Sequence, residues 1–147
     1  MAIDFFISYT RIDRPWAEWI AWQLKDAGYS VVLQAWDFRP GQNFVLKMHK
    51  ASKDAKRTIA VLSPDYLKST FTQPEWAAAF RQDPKGEKGI LLPIHIRDCR
   101  KQLKGLLGPI IYIDLFGLAE ADALQRLLEG IQDQLPRPTV PPPFPGP

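Results

Sequence analysis

Five short apolar runs alternate with amphipathic segments along the chain. The runs are rich in β-branched and aromatic residues, and they cover residues 3–8, 29–33, 58–62, 90–96 and 110–113. Strands that are apolar on both faces are typical of a buried parallel sheet. The pattern therefore predicts five parallel strands.

The segments between these runs carry helix signals. Asp13 is placed to cap a first helix, and Gly28 is placed to end it. Asn43 can cap a second helix whose buried side extends to Ala55. Residues 119–135 repeat leucine and isoleucine at helical spacing, which predicts a helix with one side on the core.

This alternation of strands and helices indicates a doubly wound α/β domain. We predict a flavodoxin-like fold over residues 1–135, with a five-stranded parallel sheet in the order 2-1-3-4-5. In such sheets, ligands bind beyond the carboxyl ends of the strands, near the point where the strand order reverses. A site is therefore expected in the loops formed by residues 8–14, 36–43 and 63–75.

The last segment, residues 136–147, contains seven of the 14 prolines of the chain. Proline cannot continue a helix or donate a hydrogen bond to a sheet, so an extended polyproline conformation is expected. Such a segment is typical of a semi-rigid linker. We expect further domains of a larger protein to follow it.

Composition narrows the range of functions. Apolar residues make up 46% and charged residues 24% of the 147 positions, which predicts a folded domain. The net charge is only +3, and scattered basic residues argue against nucleic-acid binding. The N-terminal segment lacks a signal-peptide pattern and no apolar run is long enough to span a membrane. A soluble, cytoplasmic protein without membrane contact is expected.

Residues suited to metal or redox chemistry are sparse. Cys99 is the only cysteine, which excludes an intrachain disulfide. His49 and His95 are far apart in sequence, and neither has a partner at metal-ligand spacing. We therefore expect no metal site and no bound cofactor.

The predicted loops exclude several enzyme families. The first loop, SYTRIDRP, contains no glycine, so it is neither a dinucleotide-binding GxGxxG loop nor a P-loop. The third strand ends in Leu-Ser-Pro, where a phospho-acceptor domain requires aspartate. The sequence also lacks the Gly-x-Ser-x-Gly elbow of an α/β-hydrolase.

Three segments carry a family resemblance, which covers about residues 1–135. The opening segment, FFISYTRIDRPWAEWIAWQL, is similar to the first strand and helix of Toll/interleukin-1 receptor (TIR) domains. The segment QAWDFRPGQNF resembles the second box with its BB loop, and LSPDYLKSTFTQPEWAAAF resembles the region after strand 3 in bacterial members. Bacterial and plant TIR domains, and one axonal animal member, cleave NAD⁺ and in some cases cyclise the ADP-ribose. Many animal receptor TIR domains are adaptors without this activity.

The resemblance to the NAD-cleaving branch implies that Glu75 is catalytic. The family motif is Trp-x-x-x-Glu, and here Phe71 stands in the position of the tryptophan. Nicotinamide leaves NAD⁺ without a proton from a general acid, so one carboxylate facing the cationic ribose is sufficient. Glu75 also completes a capping box with Thr72, which leaves a purely structural role open.

The resemblance also implies a set of substrate-binding residues. They are Ser8, Tyr9, Thr10, Arg11, Trp36, Asp37, Arg39, Phe44, Ser63 and Phe71. Arg11 is the best diphosphate ligand because a guanidinium can bind two oxygens, with a surface pair to Asp13 as the alternative. Phe44 is placed either to stack on adenine or to lie at an interface. Trp36 is as readily a core residue, and Ser63 as readily a turn former.

The expected function is that of an NAD⁺ glycohydrolase or cyclase module in a bacterial anti-phage immune protein, active on self-association with other TIR domains. Two alternatives remain: a non-enzymatic adaptor that acts through homotypic TIR contacts, and a domain that binds ADP-ribose without cleaving it. Trp16, Trp19 and Trp22 cannot all be buried on one helix. They form either a wide apolar face or part of a self-association surface.

Overall fold

The computed structural model describes residues 3–69, 83, 85–103, 109–132 and 137–147. Its strands are β1 (Ile3–Ser8), β2 (Val31–Leu33), β3 (Ala55–Leu62), β4 (Leu91–His95) and β5 (Ile113–Asp114). Its α-helices are α1 (Arg14–Asp26), α2 (Gln34–Asp37), α3 (Phe44–Asp54), α4 (Pro64–Lys68) and α5 (Glu120–Gly130). Short 3₁₀ helices cover Arg11–Asp13 and Arg100–Gln102.

The strands form one parallel sheet in the order β2-β1-β3-β4-β5, which confirms the predicted topology. β1 is flanked on its two sides by β2 and β3, with Phe6 opposite Val32 and Thr58. The chain moves outward from β1 to β2 and then returns to the other side of β1, so the strand order reverses between β1 and β3. The connections after these two strands therefore diverge and leave room for a ligand.

Alternate residues of β1 face two different layers of helices. Phe5 and Ile7 belong to a core that includes buried residues of α1 and α5. Phe6 packs with Met48 of α3 on the opposite face, where Tyr66 of α4 is also buried. Because both faces of the sheet are covered, the central strands are apolar throughout, as the sequence pattern indicated.

Local signals set two of the helix ends. Asn43 Oδ1 accepts a hydrogen bond from the backbone N–H of Leu46 at 3.1 Å, which caps α3 as predicted. Gly28 follows α1 with φ +98°, and Tyr29 N–H donates to the carbonyl of Leu24 at 3.0 Å. This arrangement satisfies a terminal carbonyl of the helix and directs the chain into β2.

Several predicted boundaries were wrong. Ala55 begins β3 instead of extending α3, because it pairs with Ile3 of β1 and so joins the sheet. β5 is limited to Ile113–Asp114 instead of residues 110–113, because it pairs only with the last two residues of β4. Ile111, predicted within this strand, precedes it and is 90% exposed. The leucine-rich helix is described over Glu120–Gly130, and residues 133–135 of its predicted range lie outside the described residues.

The predicted cap of α1 was also wrong in its chemistry. Asp13 occupies the N-cap position, but its side chain makes no capping hydrogen bond. The carboxylate is buried instead, and it accepts hydrogen bonds from Arg97 Nε and from the Ser63 hydroxyl. The side chain of Asp13 therefore binds Arg97, which is distant in sequence, and does not cap the helix.

Candidate functional site

A cleft of about 500 Å³ opens at the carboxyl edge of the sheet, beside the ends of β1 and β2. Its walls are the loop after β1 and the BB loop, residues 36–43, with the start of α3. An adjoining hollow of about 460 Å³ shares Tyr9, Arg11, Gln34 and Phe44 with the cleft, and it extends to Ser69 after α4. The cleft and the hollow together form the candidate site. The hollow, which reaches Ser69 beyond β3, extends toward the point between β1 and β3 where the strand order reverses and ligand binding is favoured.

The BB loop closes in a tight turn. The carbonyl of Arg39 accepts the backbone N–H of Gln42 at 3.1 Å, and Gln42 Oε1 accepts the N–H of Arg39 at 2.8 Å. Pro40 and Gly41 occupy the two central positions, and Gly41 has φ +90°, as a type II turn requires. A Pro-Gly pair is by itself a turn signal, and the turn brings Arg39 and Gln42 to the cleft.

Three aromatic residues line the cleft. The rings of Phe38 and Phe44 meet edge to face with centroids 6.2 Å apart, and Phe44 is 38% exposed. The Tyr9 hydroxyl accepts the backbone N–H of Ala35 at 3.2 Å. Burial raises the pKa of Tyr9, so its phenol is neutral near physiological pH. The cleft can therefore receive a flat, aromatic ligand group.

The cleft is strongly basic. Arg11, Arg14, Arg39 and Lys47 line it, and none of the described lining residues is acidic. Arg14 is paired with Glu18 at 3.0 Å, whereas the other three form no ion pair with a described residue. Guanidinium and ammonium groups are the usual protein ligands of phosphate. The charge of the cleft therefore favours a phosphorylated, anionic ligand.

A buried polar network, which we call the Asp13 network, lies beneath the loop after β1. Asp13 is 2% exposed, and its carboxylate accepts hydrogen bonds from Thr10 Oγ1 at 3.0 Å, from Arg97 Nε at 2.8 Å and from the Ser63 hydroxyl. Arg97 also binds Asp65. These two carboxylates raise the pKa of Arg97, and the hydrogen bond from Arg97 lowers the pKa of Asp65.

Ser8 and Ser63, two of the predicted substrate ligands, are fully buried in this structure. Ser8 Oγ lies 3.0 Å from the hydroxyl of Tyr66. Ser63 Oγ accepts the backbone N–H of Tyr66 at 3.1 Å and caps α4, besides donating to Asp13. Both serines therefore bind groups beneath the cleft, and Ser63 acts as a helix cap in this structure. Their role as substrate ligands stays a prediction.

Trp36 and Asp37 are not among the described residues that line the cleft or the hollow. Trp36 is 42% exposed, so it is not a core residue, and its indole N–H donates to Glu18 of α1 at 2.8 Å. Asp37 accepts the backbone N–H of Leu33 at 2.8 Å. These contacts anchor α2 to its neighbours and thereby hold the base of the BB loop.

The structure brings together five of the predicted substrate ligands at the cleft and hollow: Tyr9, Thr10, Arg11, Arg39 and Phe44. The alternative pair between Arg11 and Asp13 is not formed, because Asp13 binds Arg97. Phe71 and Glu75 lie outside the described residues. The chain leads from Ser69, which lines the hollow, directly into the segment that contains them.

Gln34 and Lys47, which were not predicted, also line the cleft, as does Phe38 of the predicted BB loop. Lys47 follows Phe44 by three residues on a helix, and this spacing could have placed both side chains on one side. Gln34 carried no such signal, because its position depends on how α2 packs.

The tryptophans of α1 are unequally exposed, as their spacing predicted. Trp22 is 58% exposed, whereas the rings of Trp16 and Trp19 pack edge to face with centroids 5.9 Å apart. The indole N–H of Trp19 donates to Glu120 of α5 at 3.0 Å. Trp19 thus joins α1 to α5, and Trp16 packs against it.

The described residues contain no group of three or more potential metal ligands among histidine, cysteine, aspartate and glutamate. None of the helices in the described ranges has the length and apolar character needed to cross a bilayer.

Comparisons with known proteins agree on the family. A family model described as TIR domain matches residues 5–128. The TIR domain of the Toll-related receptor TRR-2 from Hydra magnipapillata is 25% identical, with a TM-score of 0.67 over 77% of this chain and 84% of that one. A TIR-STING receptor from C. gigas, in complex with 2′,3′-cGAMP, is 25% identical, with a TM-score of 0.69 over 84% of this chain.

This chain spans only 38% of the C. gigas receptor. The TIR domains of the activated Roq1 resistosome are 16% identical, with a TM-score of 0.74, and cover 89% of this chain and 100% of that one, which shows a shared fold. No curated protein gave a significant match by sequence. The family match, the sheet order and the position of the cleft lead to one conclusion: this chain belongs to the TIR domain family.

Proposed function

We propose that this TIR domain cleaves NAD⁺ at the nicotinamide glycosidic bond, with Glu75 as the catalytic residue, and that it serves as the effector module of a bacterial anti-phage immune protein. The products are nicotinamide and either ADP-ribose or a cyclic isomer of it. Self-association with other TIR domains activates the reaction in this proposal.

The composition of the cleft is the observation that carries the proposal. Arg11, Arg39 and Lys47 provide cationic groups for a diphosphate, and the partly exposed ring of Phe44 provides a surface for adenine. NAD⁺ combines a diphosphate with two aromatic groups, so its chemistry matches the cleft. The hollow is lined by Ser69, which lies six residues before Glu75 in the sequence.

The proposed reaction needs little from the protein beyond binding and one negative charge. The bond between C1′ of the ribose and the nicotinamide nitrogen breaks, and its electron pair leaves with neutral nicotinamide. The Glu75 carboxylate stabilises the oxocarbenium-like ribose that remains. Water then adds to C1′ and releases a proton, or an atom of the adenine base adds and closes a ring.

Glu75→Gln tests the catalytic assignment. We expect NAD⁺ consumption to fall by about 10²-fold or more, since removal of one electrostatic stabiliser has an effect of this size. Glutamine is compatible with the predicted capping box, so thermal stability should change little. Chromatography of NAD⁺ and nicotinamide, with the domain fused to an oligomer-forming partner, provides the measurement.

Glu87→Gln is a matched control, because Glu87 is an exposed glutamate outside the lining of the site. It should consume NAD⁺ at the rate of the unmodified protein. Turnover by Glu75→Gln at that same rate would overturn the catalytic role of Glu75.

A second candidate is the non-enzymatic adaptor, and the exposed apolar start of α3 favours it. Val45 and Leu46 are 71% and 65% exposed directly after the BB loop. Apolar side chains at this position suit contact with another TIR domain. Self-association without NAD⁺ consumption, abolished by Val45→Glu, would support the adaptor over the enzyme.

A further inference from the structure

We propose that Arg97 is a positioning residue: through Asp13 it holds the loop after β1, and with it one wall of the cleft, in the geometry that binds substrate. The expected effect of Arg97 on catalysis rests on the proposed function, whereas its effect on the structure of the loop does not. No motif of the sequence pointed to Arg97, which lies in the connection after β4.

Asp13 closes the loop after β1 through its side chain and its backbone. Thr10 Oγ1 donates to the Asp13 carboxylate at 3.0 Å, and the backbone N–H of Asp13 donates to the carbonyl of Thr10 at 2.9 Å. Arg11 lies between these two residues. Two hydrogen bonds thus fix the turn that carries Arg11 into both the cleft and the hollow.

The position of the Asp13 carboxylate depends on the positive charge beside it. The carboxylate is buried, and among the described residues Arg97 is the cation that binds it, at 2.8 Å. A buried carboxylate without such a partner is strongly unfavourable. The position of the Asp13 carboxylate, and therefore of the turn that it closes, depends on where Arg97 is held.

Two carboxylates fix the position of Arg97. Its Nη2 binds Asp65 in the first turn of α4, while its Nε binds Asp13. A guanidinium is rigid and planar, so two carboxylates bound through different nitrogens fix its orientation. Arg97 thereby connects the loop after β1 with α4, the helix whose end leads into the segment containing Glu75.

Stability alone is a weak explanation for this arrangement. Burying ionic groups costs desolvation energy, and apolar residues of similar size are often equally stable in such positions. Two ion pairs that join the loop after β1, the connection after β4 and α4 do what apolar contacts do poorly, because directional hydrogen bonds define one relative position of these elements. We therefore assign the Asp13 network to the geometry of the site.

Two variants test the role of Arg97 without leaving Asp13 uncompensated. Arg97→Lys keeps the positive charge but removes the planar fork that binds two carboxylates. Asp65→Asn removes the outer carboxylate, which is 39% exposed, and leaves the pair of Asp13 with Arg97 in place. Asp98→Asn is the matched control, because Asp98 is 48% exposed and binds Arg100 away from the cleft.

Amide hydrogen exchange measures the structural part of the proposal. In Arg97→Lys and Asp65→Asn, exchange at the Asp13 amide should accelerate about tenfold or more, the scale of one charge-assisted hydrogen bond. Asp98→Asn should leave this amide unchanged. Unchanged exchange at Asp13 in both test variants would overturn the proposal, whether or not the protein cleaves NAD⁺.

Steady-state kinetics with NAD⁺ measures the consequence for the site. The test variants should raise KM about tenfold with a smaller change in kcat, because the turn that they loosen carries Arg11, a diphosphate ligand in the proposed function. A merely structural role would lower the active fraction, which reduces the apparent kcat and leaves KM unchanged. That second pattern would contradict the positioning role. Absence of turnover in the unmodified protein would instead contradict the proposed function, and hydrogen exchange would still decide the role of Arg97.

Discussion

At the scale of single residues, the cleft places cations of different origin around one space. Arg11 comes from a 3₁₀ turn, Arg39 from the BB loop and Lys47 from α3. Local sequence indicated the first two, because both lie in loops at the carboxyl edge of the sheet. It did not indicate Lys47, whose role depends on the direction in which α3 leaves the BB loop.

Replacement of Lys47 tests the charge of the cleft. Lys47→Gln should weaken binding of ADP-ribose severalfold and reduce the salt dependence of that binding, because one phosphate contact is lost. Lys50→Gln is the matched control, since Lys50 lies on the same helix, is exposed and does not line the site. Calorimetric titration at two salt concentrations measures both effects. Equal affinity of the two variants would contradict a phosphate contact by Lys47.

At the scale of elements, α5 packs unusually close to the edge strand β5. A Cβ atom added to Gly130 would lie 2.6 Å from Cδ1 and 2.7 Å from Cγ1 of Ile113. The last residue of the helix is therefore small because the neighbouring strand occupies the space that a side chain would need. The sequence predicted both elements but not this contact, because Gly130 and Ile113 are neighbours only in the folded chain.

Gly130→Ala should destabilise the domain despite the higher helix propensity of alanine. We expect a loss of about 1–3 kcal/mol in the free energy of unfolding, as for other overpacked sites. Urea denaturation followed by tryptophan fluorescence gives the value. Gln125→Ala, an exposed position on the same helix, should change stability by no more than about 0.5 kcal/mol. A stabilised Gly130→Ala protein would show that Ile113 repacks without cost.

At the scale of the whole molecule, the proline-rich segment contributes little buried surface. Val140 and Phe144, its large apolar residues, are 71% and 81% exposed. The predicted division into a domain over residues 1–135 and a tail over residues 136–147 remains a prediction.

Removal of residues 137–147 tests this division. The melting temperature should fall by less than the roughly 2–4 °C that corresponds to about 1 kcal/mol in a chain of this size. NAD⁺ consumption should also be unchanged, since the segment supplies no residue to the cleft or the hollow. Leu127→Ala serves as a comparison, because this fully buried leucine should cost about 2–5 kcal/mol. A comparable loss on truncation would mean that the tail is part of the fold.

The sequence by itself determined the features that depend on neighbouring residues or on strand periodicity. The parallel sheet and its order followed from apolar runs alternating with helices, and the turn at Pro40 and Gly41 followed from two adjacent residues. The cap at Asn43 and the end of α1 near Gly28 are equally local. These interactions are complete within a few positions, so the sequence pattern contains them.

Only the tertiary structure decided which polar residues face the ligand space. Asp13 meets Ser63 and Arg97 across separations of 50 and 84 residues, and these contacts convert an expected helix cap into the centre of a buried network. Ser63 follows a predicted ligand-binding strand, yet its hydroxyl is directed inward by the same network. Hydrogen bonds between residues so distant in sequence leave no periodic signal, because they exist only after the sheet has brought the loops together.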